Sequence, residues 1–368
     1  MAGEAGSGRR ERWHVAVPLI AIAALIPAWN RDLSNPTLLA LGAVLAAAVL
    51  SAVHHAEVVA ARVGEPYGSL VLAVAVTVIE VALIVTLMAS DPQGSQALAR
   101  DTVLAALMIT CNGIVGISLL VRTLRGGQAY FNAAGAVSGL SAIAALATFS
   151  LILPTFTTST RGPTLTVTQL AFTAAAALLI YILFLLVQAV RHRDYFLPEP
   201  SPGSPPSDEG AHVAAPSKRA AGISLLLLVT CLVAVVGLAK VTSPLIEFAV
   251  SAAGLPSAAV AVSIAVLVLL PESLAAVRAA RRGRIQTSLN LAYGSAMASI
   301  GLTIPTIAVV TWVFGYPIVL GIDATSIVLL AATLFTALGT VLSGRATVLQ
   351  AGIHLSLIGA FLVLIVSP

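Results

Sequence analysis

The sequence predicts an all-α polytopic membrane protein of eleven transmembrane helices: one extra N-terminal helix, then two inverted five-helix repeats. Three observations predict it. Of the 368 residues, 58% are hydrophobic and 9% charged, and the mean hydropathy is +1.01, a balance foreign to soluble domains. The apolar residues gather into runs long enough to cross a bilayer. A pattern of Glu, Gly and Pro in the first half also returns in the second.

At roughly 20 residues per crossing, the spans fall at 14–30, 37–60, 68–90, 102–121, 133–153, 166–190, 221–240, 257–277, 288–313, 316–340 and 347–366. The start, GRRERWHVAVPLIAIAALIPAWN, also has the form of a signal peptide. No clear small-residue cleavage site follows it, and the topology needs it, so it is expected to be a retained first span. Loops are short except 191–220, RHRDYFLPEPSPGSPPSDEGAHVAAPSKRA. Its Pro, Ser and charged residues predict a disordered cytoplasmic linker. The expected organisation is therefore 1–36 (cytoplasmic N-terminus and extra helix), 37–190 (first repeat), 191–220 (linker) and 221–368 (second repeat).

Charge tests the count. With the N-terminus inside, four of the nineteen Lys and Arg residues (Arg31, Arg100, Arg161 and Lys240) fall on the outer side and the other fifteen on the cytoplasmic side. One miscounted span would destroy that bias. The expectation is a bacterial inner-membrane protein with the N-terminus cytoplasmic and the C-terminus outside. The net charge of +4 is scattered through short loops, so topology explains it and nucleic acid is not an expected partner. The cluster Arg278 to Arg284 reads as an inside loop in contact with anionic lipid. Cys111 and Cys231 lie in apolar runs and form neither a disulfide framework nor a metal-ligand spacing.

The repeat shows in AEVVAARVGEP (56–66) against IEFAVSAAGLP (246–256). Glu57, Gly64 and Pro66 align with Glu247, Gly254 and Pro256, each 190 positions on. Next in order come ITCNGIVGISLL (109–120) and GSAMASIGLTIP (294–305), where Gly116 aligns with Gly301 and Thr110 with Ser295. Five crossings per copy, an odd number, insert the second copy upside down relative to the first. Inverted repeats with a site at the midplane typify secondary transporters.

Each copy carries one carboxylate deep in a span: Glu80 after the break at Gly64, Glu65, Pro66 and Gly68, and Glu272 after Pro271. A charge at the centre of a span costs about 3 kcal/mol on insertion scales, so it is seldom there without a purpose. Two facing carboxylates in low dielectric need protons or a cation. Hard cations such as Ca²⁺ take about six to eight oxygen ligands. Pro271 frees a backbone carbonyl one turn earlier, and ionised glutamates hold a cation that protonated ones release. Competition of this kind is already a mechanism of exchange. Candidate additional ligands are Thr77, Thr110, Asn112, Asn290, Ser295 and Ser299, with Ser118 and Thr303 nearby; helix packing is the plain alternative for each. Glu57 and Glu247, near span ends, are candidate ion-access residues or interfacial groups. His354 and Gln350, one turn apart, read as packing, and Asp323 as a surface residue.

The stretches GEPYGSLVLAVAVTVIEVALIVTLM (64–88) and LLPESLAAVRAARRGRIQTSLNLAYGSAMASIGLTIP (269–305) resemble the two α-repeats of ChaA-type calcium/proton antiporters, of the calcium/cation antiporter superfamily. The resemblance covers nearly the whole chain. It implies that Glu80 and Glu272 are the paired cation- and proton-binding carboxylates, completed by polar residues of the fourth and ninth spans. VIEV and LPES stand where many relatives have longer Gly-Asn or Gly-Thr-Ser runs, and Met297 stands opposite Asn112, which makes the site asymmetric. The expected function is Ca²⁺/H⁺ antiport by alternating access, with Na⁺(K⁺)/H⁺ antiport on the same fold as the alternative. The expected partners are inorganic cations, protons and the bilayer, with no cofactor. A rival class, the membrane-embedded lipid-modifying enzyme, needs an acidic pair of the DxxxD type or a His/Asp or Ser/His constellation; the sequence presents none.

Overall fold

The computed structural model describes residues 4–31, 33–64, 67–91, 94–197, 216–256 and 258–367. Glu65 and Pro66 of the break, and residues 198–215 of the expected linker, lie outside the described residues. Among the described residues eleven long helices follow in order: α1 (Glu4–Ala28), α2 (Asn35–Val63), α3 (Tyr67–Ser90), α4 (Leu98–Gly126), α5 (Ala133–Phe156), α6 (Val167–Arg191), α7 (Lys218–Ala252), α8 (Ala258–Arg281), α9 (Ile285–Phe314), α10 (Ala324–Leu342) and α11 (Val348–Val366). Ten are long and apolar enough to span a membrane, and the apolar part of α1, Trp13–Ala28, is shorter. The expected all-α polytopic fold is therefore present, helix for helix.

Two boundaries moved for identifiable reasons. Helix α7 runs for 35 residues rather than stopping at 240, passing through Pro244 and carrying the motif that begins at Ile246 as far as Ala252. The tenth helix begins at Ala324, not 316. Pro317 disfavours helix at Tyr316, and residues 316–322 run without regular secondary structure instead. Their apolar character serves burial without a helix: Leu320 and Ile322 are each 2% exposed. The second half of the strap is tied down by hydrogen bonds, with Val319 N–H donating to Gln96 O (3.0 Å) and Ile322 N–H to Leu151 O (3.1 Å). Arg100 Nη1 and Thr155 Oγ1 donate to the Gly321 and Ile322 carbonyls.

Caps mark the helix starts. Thr166 with Gln169, and Thr347 with Gln350, form reciprocal capping boxes that satisfy backbone donors at the first turns of α6 and α11. Gln350 thus belongs to a helix start rather than to packing beside His354. At the other ends, the matched glycines Gly64 and Gly254 close α2 and α7 with φ of +79° and +66°. A side chain there would be strained, so the repeat preserved glycine where the backbone demands it. Apart from the helices, Ala129–Tyr130 pairs antiparallel with Arg345–Ala346, clipping the α4–α5 turn to the α10–α11 turn.

The chain forms two compact units, Met1–Ser95 with His212–Val260, and Gln96–Ala211 with Ala261–Pro368. The first is built on the long pairing of α2 with α7, flanked by α1 and α3. Gly237 of α7 lies against Leu25 of α1, whose side-chain tip would clash with a Cβ there. In the second unit the main pairings are α9 with α6 and α4 with α11. Each repeat contributes helices to both units.

Candidate functional site

Glu80 lies in α3, 13 residues after Tyr67, and is buried at 4% exposure. Thr77, one turn before it, is buried as well. Glu272 lies in α8, 14 residues after Ala258, and is half-buried. Helix α8 passes through Pro271 unbroken. Because proline has no N–H, the carbonyl of Leu267, four residues earlier, loses its helical donor. Glu80 belongs to the first compact unit and Glu272 to the second.

In α4 the fourth-span candidates sit on a π-helical turn, Ile109–Ile114. Such a turn holds one extra residue, and in other proteins it recurs at functional sites. Thr110 turns its hydroxyl back onto its own helix, donating to Ala106 O (2.7 Å) and Leu107 O (3.1 Å). Asn112 reaches across to two other helices. Its Nδ2 donates to Thr333 Oγ1 of α10 at 2.8 Å, and its Oδ1 faces His354 Nδ1 of α11 at 3.1 Å. The far ring nitrogen, Nε2, is 3.2 Å from Thr340 Oγ1. All four side chains are buried: Asn112 and His354 at 0%, Thr333 at 1% and Thr340 at 2%.

Helix α9 carries the other candidates. Ser295 is half-buried and Ser299 buried. Ser288 donates to Ser118 of α4 at 2.7 Å. The hydroxyls of Tyr293 and Thr303 are buried with no hydrogen-bond partner among the described residues. Asn290 is engaged elsewhere: its Nδ2 donates to the Phe196 carbonyl (2.7 Å), and its Oδ1 accepts from Gln286 (2.9 Å). It thereby anchors the turn Arg193–Phe196 at the start of the linker. Glu57 is exposed on α2. The side chain of Glu247 lies outside the described residues.

Gly116 and Gly301 mark where the helices close. A Cβ on Gly116 would sit 3.0 Å from Leu355 and 3.2 Å from the His354 Cβ, both on α11. One on Gly301 would sit 2.6 Å from the Tyr181 Cβ on α6. The matched glycines thus make matched contacts, each against the last helix of the opposite repeat. What the sequence did not reveal is the part of Thr333, Thr340 and His354. The one signal was a histidine alone in an apolar span, which reads equally well as packing.

Apolar helices in two related halves, each half with a buried or half-buried glutamate inside a span, define the class of polytopic ion transporters. The chain belongs to the sodium/calcium exchanger protein family, which matches residues 35–190 and 223–367, and so to a family of ion exchangers rather than enzymes. It is 42% identical to y4hA of Sinorhizobium fredii, a protein named for ionic transport, over 97% of this chain and 96% of that one. It is 31% identical to the sodium-potassium/proton antiporter ChaA of Escherichia coli, over 99% of both. Among solved structures the fold matches native YfkE (TM-score 0.70, 12% identity, 96% of this chain and 98% of that). It also matches the H⁺/Ca²⁺ exchanger CAX (TM-score 0.67, 15% identity, 96% of this chain and 88% of that).

Proposed function

We propose that the chain is a cation/proton antiporter of a bacterial inner membrane, with the N-terminus cytoplasmic and the C-terminus outside. Glu80 and Glu272 bind either the cation or protons and exchange them by alternating access. The observation that carries this reading is the burial of Glu80 at 4% exposure near the middle of an apolar helix, with Glu272 at the corresponding depth of the other repeat. A carboxylate so placed is tolerable when a proton or a cation neutralises it.

Two carboxylates match the charge of Ca²⁺, and two structures of the same fold are named for that ion and protons. Ca²⁺/H⁺ exchange is therefore the first reading. The second is Na⁺(K⁺)/H⁺ exchange, favoured by the 31% identity to an antiporter named for those ions. Further oxygens come from Thr77, Asn112, Ser295 and Ser299. Thr110 and Asn290, whose polar groups serve their own helix and the linker turn, move to structural roles. Glu57 and Glu247 lie on the route of ion access. Beyond the transported ions the reading calls for no cofactor.

The test is a cation panel in proteoliposomes with an internal pH dye, varying Ca²⁺, Na⁺ and K⁺ separately. Proton flux driven by Ca²⁺ alone supports the first reading and flux driven by Na⁺ or K⁺ the second. Cation flux with no proton movement rejects both.

A further inference from the structure

The four buried side chains around the π turn of α4 form a hydrogen-bonded chain whose direction follows from their chemistry. An amide oxygen only accepts, so Asn112 Oδ1 requires the ring hydrogen of His354 to sit on Nδ1. A neutral ring then leaves Nε2 as an acceptor, and the Thr340 hydroxyl 3.2 Å away supplies the hydrogen. The Thr336 carbonyl, at 2.9 Å, competes for that same hydrogen. On the other side Asn112 Nδ2 donates to Thr333, whose hydroxyl donates in turn to the Met108 thioether at 3.5 Å. The order is Thr340, His354, Asn112, Thr333, Met108, and every donor in it has an acceptor.

In this order His354 and the Asn112 amide set one another's orientation. With the ring hydrogen on Nδ1, turning the amide over would set its NH₂ against the Nδ1–H, two donors face to face between side chains that are each 0% exposed; with the hydrogen on Nε2, the ring would instead accept from a turned amide and donate to Thr340. As the atoms lie, Nδ1 is the donor, and the oxygen faces α11 with one lone pair that His354 does not use. A neutral oxygen of fixed orientation is the kind of ligand hard cations take beside carboxylates.

We propose that His354 is a positioning residue for the exchange reaction: by donating from Nδ1 it holds the Asn112 amide with its oxygen presented as a cation ligand. This rests on the antiporter reading and on Asn112 as one of its ligands. His354 does not touch the ion. It determines which end of the amide the ion can meet.

The experiment measures cation KM and maximal rate in proteoliposomes, with whichever of Ca²⁺, Na⁺ or K⁺ drives proton flux in the full-length chain. His354→Leu removes the donor and is expected to raise KM about tenfold, with the maximal rate changed less than about twofold. His354→Asn puts an N–H near the Nδ1 position and restores KM to within about twofold of wild type. A merely structural role predicts no such rescue and no such split between KM and rate. Adding His354→Leu to Asn112→Ala leaves the KM of Asn112→Ala unchanged, because the two act through one group. A raised KM for Asn112→Ala, with a full further increase in the double variant, overturns the positioning role and leaves the antiporter reading standing. A wild-type KM for Asn112→Ala rejects Asn112 as a ligand and this inference with it. If His354→Leu does not fold, Thr340→Val removes the hydroxyl on Nε2; about a threefold rise in KM supports the role, and an unchanged KM overturns it.

Discussion

His354 Nδ1 meets Asn112 Oδ1 at 3.1 Å, across 242 residues of chain. Gly116, one turn further along α4, is what allows α11 so near. Overpacked contacts of this kind cost about 1–3 kcal/mol. The two matched glycines differ in degree. The tightest neighbours of Gly116 are side-chain tips of Leu355, at 3.0 Å, which can shift, whereas Gly301 meets the Tyr181 Cβ at 2.6 Å, which cannot move without its backbone. Gly301→Ala is therefore expected to lower the melting temperature in detergent more than Gly116→Ala. Equal shifts would contradict the described packing.

Neutralising either deep carboxylate should end exchange. Glu80→Gln and Glu272→Gln each keep the size of the side chain and remove its charge. Both are expected to reduce cation-dependent proton flux in everted vesicles by at least about a hundredfold, because a ligand that cannot ionise can trade neither species. Normal exchange by both variants would end the assignment of these residues.

Asn290 is predicted to separate from the ion chemistry. Its amide holds the Phe196 carbonyl at 2.7 Å, so Asn290→Ala releases the turn that begins the linker. Limited proteolysis should cut faster between 192 and 220, while cation KM stays within about twofold of wild type, since an exposed local opening leaves the rest of the fold intact. A large KM change would return Asn290 to the ligand set.

Asp323 caps α10, accepting from the Ser326 N–H (3.1 Å) and the Ser326 hydroxyl (2.6 Å). Partial burial pushes its carboxyl up, but these bonds, with backbone donors at Asp323 and Thr325, outweigh that and leave it below the ordinary value of 3.8. A depressed carboxylate contributes stability that is present above 3.8 and lost as pH falls through the lower folded value. Asp323→Ala should cost about 1 kcal/mol at neutral pH. The gap in melting temperature between it and wild type should close under acid. A gap unchanged at the lowest pH would mean the ionised cap is not what stabilises the helix start.

Much of this fold was legible because the bilayer imposes a simple code. Apolar runs fixed the eleven helices, and the paired Gly64 and Gly254 were readable because a left-handed backbone position tolerates little else. The irregular strap of 316–322 misled for the same reason: Leu320 and Ile322 are as apolar as a helix core, and hydropathy does not distinguish a buried strap from a span. Glu80 and Glu272 stood out as charges where charge is costly. The partners of Asn112 did not. Thr333, Thr340 and His354 lie more than 200 residues away, and the π turn that brings Asn112 to them depends on packing between helices from different halves, which no local pattern encodes.

The reciprocal contacts of α4 with α11 and of α9 with α6 bear on how the protein is made. A ribosome delivers α4 to the membrane long before α11 exists, so the Asn112 amide enters lipid with its eventual neighbour still untranslated. Until the final helix emerges, that amide must be shielded by something else, whether water in an unfinished crevice or the insertion machinery. A nascent chain halted before Val348 would keep every glutamate and still lack the helix that closes on Gly116.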